Sequence, residues 1–377
     1  MKVPYYCAVA LLCAASAFGQ GQAEVVATGL EGPQKLILTP GGNFLVTETN
    51  KKPNSGRVSL VTRGGARRTL VDGLPSGTDS QGDGGGPTAM ALRDRTLYVA
   101  IGVGEIEKRV DNAVVHNPDG LSSPLFASVL AFQFNGNVDT LTGTFALSKE
   151  QHQALADGDA VTLQDGAGAT AQVSLLADLP NSTPEGAGYR FSNPWGLALS
   201  PDGTALWLTD ASMNTLSRID TGTGRRTTTA RFPSLPNGSG FGPPQVDAVP
   251  TSVRVYGNQL LVSFLTGFPF LGGNARVLAV NPDSRTTEPF IFNITSSTDI
   301  LWRERAGQAS QFYVLEFSTN QLANPAVPGR LLRYESGQER TVVADNLQAP
   351  VSLALDAASN ELFVLELTGR IVKVPVR

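Results

Sequence analysis

Val25-Val26-Ala27-Thr28-Gly29-Leu30-Glu31-Gly32-Pro33, near the start of the chain, and Val342-Val343-Ala344-Asp345-Asn346-Leu347-Gln348-Ala349-Pro350, near its end, are one phrase written twice, identical at five of nine positions. The later copy ends one strand-rich unit and opens the next. The earlier copy has no unit before it to end. A strand without a sheet at one terminus, and a sheet lacking its outer strand at the other, predict a ring. In that ring the early segment hydrogen-bonds beside the segment ending at Arg377 and leaves no open edge.

Outward from this phrase, Pro33, Pro87, Pro194, Pro250 and Pro350 each precede an apolar strand, with a proline-less equivalent near Thr298. The spacing is roughly 50 residues, with one interval of twice that, which is the scale of propeller blades. Each unit opens with a strand whose alternate positions contrast in size: Leu197 and Leu199 share one face, Gly196 and Ala198 the other. Large against small lets twisted sheets nest closely. A turn such as Pro201-Asp202-Gly203 follows, then a second strand, as in Phe44-Leu45-Val46-Thr47-Glu48 or Leu362-Phe363-Val364-Leu365-Glu366, and then two more. The expected fold is an all-β, six-bladed β-propeller closed by the N-terminal strand of the mature chain. The doubled interval reads as an insertion in blade two at about 137–171. Within it Ser148-Lys149-Glu150-Gln151 has the pattern of a helix start, the helix running to about Ala156. The insertion is either surface decoration or a lid over a channel mouth.

Composition agrees with a folded, turn-rich protein: 41% hydrophobic and 16% charged residues, with 40 Gly and 24 Pro in 377 residues. A net charge of -4 offers no basic stripe, so nucleic acid is not an expected partner. Residues 1–19, with Lys2 ahead of an apolar run and small residues at Ala15 and Ala17, read as a signal peptide rather than a membrane span. That leader carries both cysteines, Cys7 and Cys13, so the mature domain, 20–377, is expected outside the cytoplasm, secreted or periplasmic, without thiols. A monomer with no membrane span is expected.

The stretch Leu265-Thr266-Gly267-Phe268-Pro269-Phe270, with Val249-Pro250-Thr251 before it and Gly273-Asn274-Ala275-Arg276-Val277 after it, resembles the ScyD/ScyE family of secreted propeller proteins. Gly73-Leu74-Pro75-Ser76, Tyr98 to Gly102, Asn117-Pro118-Asp119-Gly120 and Ser192-Asn193-Pro194 extend the likeness over nearly all of the mature chain. The resemblance implies a secreted propeller and no particular chemistry. The chain departs from the family at Pro33-Gln34-Lys35-Leu36, where an arginine is usual in second place, so no role for that arginine carries over.

In such a fold the end of each second strand shares a rim with the start of each first strand. Around six blades those ends are Glu48, Ile101, Asp210, Phe264, Glu316 and Glu366. Four carboxylates at one mouth repel one another, by roughly 4 kcal/mol for a pair at 4 Å and an effective dielectric of 20. Two readings answer this. Glu48, Asp210, Glu316 and Glu366 hold a divalent cation, for which Ca²⁺ suits oxygen ligands, with Asn50, Asn193 or Asn214 adding neutral oxygens. Alternatively they accept backbone N–H groups at strand ends or pair with Lys35, Arg190 and Arg254.

Asp83, in the loop Gln81-Gly82-Asp83-Gly84-Gly85-Gly86, belongs to the same rim, and Asn193, Trp195, Thr266, Phe268 and Phe270 join it as candidate ligand-binding residues. Aromatic faces beside acids suit a small polar or aromatic ligand. Three functions follow as expectations. One is a binding protein for a small molecule or protein. The second is a Ca²⁺-dependent lactonase or hydrolase, resembling the gluconolactonase propellers in architecture. The third is an enzyme similar to quinoprotein sugar dehydrogenases, which carry a like Gly-Asp-Gly-Gly stretch but use a histidine base. His116 and His152 are the only histidines, and both fall in blade two, where they read as solvated loop or insert residues.

Overall fold

The structure, a computed structural model, describes residues 23–111, 113–117, 120–180, 183–185, 188–335 and 339–375. The expected leader lies outside the described residues, as do Pro118, Asp119 and the side chain of Arg190. Six antiparallel sheets follow one another along the chain, opening with the strands Pro33–Leu38, Pro87–Arg93, Pro194–Leu199, Pro250–Tyr256, Ser297–Arg305 and Pro350–Asp356. Each of these first strands packs against the first strands of the two neighbouring blades, the sixth against the first, so they form a closed inner ring. This is the six-bladed β-propeller that the repeat predicts.

Closure uses the early phrase. Glu24–Ala27 pairs antiparallel with Arg370–Pro375, Val25 opposite Val372, and becomes the outer strand of blade six. Glu24 and Lys373 add an ion pair of 2.8 Å across that seam. Nested side chains fill the wedges between blades, as where Phe44 of blade one meets Phe363 of blade six edge to face at 4.8 Å.

Every first strand carries the same irregularity. Its opening residue, Pro33, Pro87, Pro194, Pro250, Ser297 or Pro350, lies opposite the end of the second strand, and the register then slips at once. The slip is a β-bulge, which frees the residue or two after the opening position from the alternation and re-aims them. In blade five Ser297, not Thr298, takes the place of the proline.

Between the blade-two strands Ser128–Phe134 and Thr170–Asp178 the chain makes a short strand, Phe145–Ala146, which pairs in parallel with the outer strand of blade one, Arg67–Leu74. The helix Lys149–Ala156 follows, capped by Ser148 in a full capping box with Gln151. A strand, Val161–Gln164, then returns to the edge of blade two. This segment clasps the outer edges of two blades. Its one histidine, His152, is fully buried, contrary to the solvated position expected for it, because Nε2 donates to the Gly73 carbonyl at 2.8 Å.

Candidate functional site

A cavity of about 940 Å³ opens at the mouth of the inner ring where the first strands begin. The bulged residues Gln34, Thr88, Trp195, Thr251, Thr298 and Val351, one from each blade, line its floor. A second ring, Thr49, Gly102, Ala211, Leu265, Phe317 and Leu367, comes from the position just after each second strand. Backbone geometry fixes that second ring: each N–H donates to the carbonyl just before its blade's first strand, from Thr49 to Gly32 at 3.0 Å round to Leu367 to Ala349 at 2.9 Å. The threonine hydroxyls of the floor are also occupied. Thr88 donates to the Pro194 carbonyl at 2.6 Å, Thr251 to Ser297 at 3.0 Å and Thr298 to Pro350 at 3.0 Å, each tying one blade to the next. The floor therefore offers apolar surface with few free donors.

Above the floor the mouth has two unlike sides. Loops of blades one and two bring Glu31, Asn50, Lys51, Lys52, Asp79 and Asp83 to it. Trp195, Leu265, Phe270 and Phe317 of blades three, four and five face them as an apolar arc. Asp79 shapes the turn before Gly84 by accepting the N–H groups of Gln81 at 2.8 Å and Asp83 at 2.9 Å. Glu31 pairs with Arg57 at 3.0 Å. Lys51, Lys52 and Asp83 are exposed at the mouth, and no described residue pairs with the Asp83 carboxylate or with the two ammonium groups.

Of the residues expected at the rim, Asp83, Asn193, Trp195 and Phe270 line the cavity. Thr266 and Phe268 do not. Thr266 sits at φ 68° and is turned into the protein, buried. Phe268 lies outside the rim, 42% exposed, with its ring 6.1 Å from that of Phe270. Asn50 lines the mouth, whereas Asn214 holds the base of the loop, donating to Asp247 at 2.9 Å and accepting from Val249 at 2.8 Å.

The four carboxylates are not brought together. Glu48, Asp210, Glu316 and Glu366 are all buried one step behind the mouth, each within its own blade. Each accepts a backbone N–H from the segment leading into its first strand: Glu31 at 2.6 Å, Asn193 at 2.9 Å, Thr295 at 2.6 Å and Gln348 at 2.8 Å, respectively. The three glutamates also meet an arginine directly opposite on the third strand, Arg57, Arg330 and Arg370. They thus serve as strand-end acceptors and ion-pair partners, with arginines other than the expected ones. Lys35 and Arg254 instead meet Asp299, deeper in the ring, at 3.0 and 2.7 Å. Among the described residues no three histidines, cysteines or acids gather as a metal site.

Asp210 departs from the pattern. Thr215 stands opposite it where the three glutamate blades have arginine, and Oδ2 has no hydrogen-bond partner among the described residues. Burial pushes its carboxyl above the usual carboxylate range, against the N–H bonds from Asn193 and Met213.

No protein-family model matches the sequence, and no curated protein matches it. Solved structures do. One is a putative oxidoreductase (glucose dehydrogenase) from Thermus thermophilus, at 15% identity and a TM-score of 0.53, covering 94% of this chain and 99% of the other. Another is the PQQ-bound aldose sugar dehydrogenase of Streptomyces coelicolor, at 15% identity and a TM-score of 0.52, covering 94% and 96%. At such identity the likeness is one of fold.

Proposed function

We propose that this propeller is a binding protein for a small amphipathic molecule, held at the channel mouth with its flat apolar part against Trp195 and Phe270 and an anionic or hydroxyl-bearing end toward Lys51, Lys52 and Asp83. One observation carries this reading: a cavity of about 940 Å³ has an apolar floor and one apolar side, and unpaired charge on the side opposite. A location outside the cytoplasm and a place among the ScyD/ScyE proteins belong to the same proposal. The stretch that carries that resemblance supplies Leu265 and Phe270 to the cavity wall.

The test uses 1-anilinonaphthalene-8-sulfonate, whose fused rings and sulfonate match the two sides. Saturable binding of one molecule is expected, weakened about tenfold, or about 1.4 kcal/mol, by Trp195→Ala and by the double change Lys51→Gln, Lys52→Gln. Binding that ignores both variants rejects the site.

Two enzymatic readings share this mouth, a lactonase and a quinoprotein sugar dehydrogenase. Among the described residues no histidine lines the cavity, so either would draw its proton-transfer group from Asp83, Asp79 or Glu31. Turnover of a lactone, or of an aldose with added quinone, abolished by Asp83→Asn would replace the binding reading. Calcium has its own readout. With Glu48, Glu316 and Glu366 each engaged by an arginine, Ca²⁺ and chelator are expected to leave the melting temperature unchanged.

A further inference from the structure

We infer that the ligand site does not end at the cavity but continues outward over a ladder of phenylalanine rings, so that the fitting ligand has at least two aromatic units in line. This rests on the mouth being the ligand site and adds the length and direction of what binds there. Phe270 lines the cavity. The ring of Phe268 lies 6.1 Å from it, edge to face, and the ring of Phe241 lies 5.4 Å beyond Phe268. Phe268 and Phe241 are 42% and 58% exposed. Single exposed apolar residues need no explanation, but two in a row, continuous with an apolar cavity wall, form a patch of the kind that meets a partner.

The outer rung is built, not left loose. Phe241 tips a loop between the short paired strands Leu235–Pro236 and Gln245–Val246. Asn237 braces that tip from inside, its Nδ2 donating to the carbonyls of Phe241 at 2.7 Å and Pro243 at 2.6 Å, and its Oδ1 accepting from Ser239 at 3.0 Å. Gly242, at φ 85°, lets the chain run against Phe268, because a Cβ there would lie 2.9 Å from that ring. The loop thus holds an aromatic side chain in water at a fixed distance from the cavity. The free lysines stand on the other side of the mouth, so the polar end of the ligand and the ladder are at opposite ends of its path. The chemical class is a rod-like, multi-ring molecule with an anionic group on the unit that enters the cavity.

Two probes separate the cavity from the ladder. 1-Anilinonaphthalene-8-sulfonate is short enough to stay within the cavity, whereas its covalent dimer, 4,4′-dianilino-1,1′-binaphthyl-5,5′-disulfonate, is long enough to extend to the ladder. The dimer is expected to bind the unaltered protein about tenfold tighter than the monomer. Phe241→Ala is expected to remove most of that advantage while leaving monomer affinity unchanged, and Phe241→Leu to restore part of it. An advantage that survives Phe241→Ala, or none to begin with, overturns the ladder. If the monomer itself binds without regard to Trp195, the reading of the mouth fails instead, and the two failures are told apart. Phe241 is a solvent-facing loop residue, so unfolding does not confuse the outcome, and an unchanged melting temperature checks this.

Discussion

Glu48 and Asp210 occupy the same place in two blades and meet different fates. Glu48 faces Arg57 at 3.2 Å and also accepts from Ser59 and the Glu31 N–H. Removing its charge leaves Arg57 with the exposed Glu31 as its counterion and puts a neutral amide at the buried strand end, a loss on the order of 1–3 kcal/mol. Asp210 has no arginine opposite, and its folded pKa is raised by burial. The sign is then the reverse of the usual carboxylate. The fold disfavours the ionised form, so Asp210 weakens the protein above its folded pKa, and the penalty disappears as pH falls below the unfolded value of about 3.9. Glu48→Gln is therefore expected to lower the melting temperature at pH 7, and Asp210→Asn, which keeps an acceptor for Asn193 and Met213, to leave it equal or higher. A matching loss in both would refute the distinction. The acids were legible in the sequence as a recurrent feature. Their placement was not, because the bulge and the strand-end turn give the channel to their neighbours, Trp195 and Ala211 in blade three, where strict alternation cannot be read through.

The helix Lys149–Ala156 shows the same limit one level up. Its start could be read from Ser148 and Gln151, since a capping box is local in sequence. What it packs against could not, because Gly73 lies 79 residues away. His152 is buried with Nε2 bonded to that carbonyl and Nδ1 without a hydrogen-bond partner among the described residues, and burial lowers its pKa. The neutral ring is what the fold accepts. Its contribution is complete above the unfolded value of about 6.5 and is lost as pH falls from there through the lower folded value, at a limit of about 1.4 kcal/mol per pH unit. His152→Gln keeps a donor for Gly73 and does not titrate. Thermal unfolding of the two proteins from pH 7.5 to 5 is expected to show a steeper loss for the histidine form, and parallel curves would mean that the ring is hydrated or mobile.

At the scale of the molecule, two latches hold the seam between blades one and six. The outer one, Glu24–Ala27 on Arg370–Pro375, was legible because a repeated phrase names its own partner. The inner one was not, since no pattern in sequence joins Lys35, Arg254 and Asp299. Lys35 of blade one reaches Asp299 of blade five at 3.0 Å, Arg254 of blade four grips both oxygens at 3.1 and 2.7 Å, and Ser352 and Leu353 of blade six donate at 3.2 and 3.0 Å. Burial opposes the charge of Asp299, but Arg254 and Lys35 outweigh it and hold the carboxyl well below the usual range. Burial, then repulsion from Arg254, brings Lys35 down to about 8 against the pull of Asp299. Asp299→Asn takes from Lys35 and Arg254 the buried counterion they share and is expected to cost about 3–5 kcal/mol. Lys35→Met, which leaves Asp299 its arginine, costs less. The latches act on one ring, so each should hold when the other is cut. Deleting residues through Ala27 strips only an outer strand while the inner latch keeps blades one, five and six together. Combined with Asp299→Asn, the deletion is expected to lose more stability than the two changes do separately, by at least about 0.5 kcal/mol in urea titrations. Simple additivity would mean that blade packing alone closes the propeller.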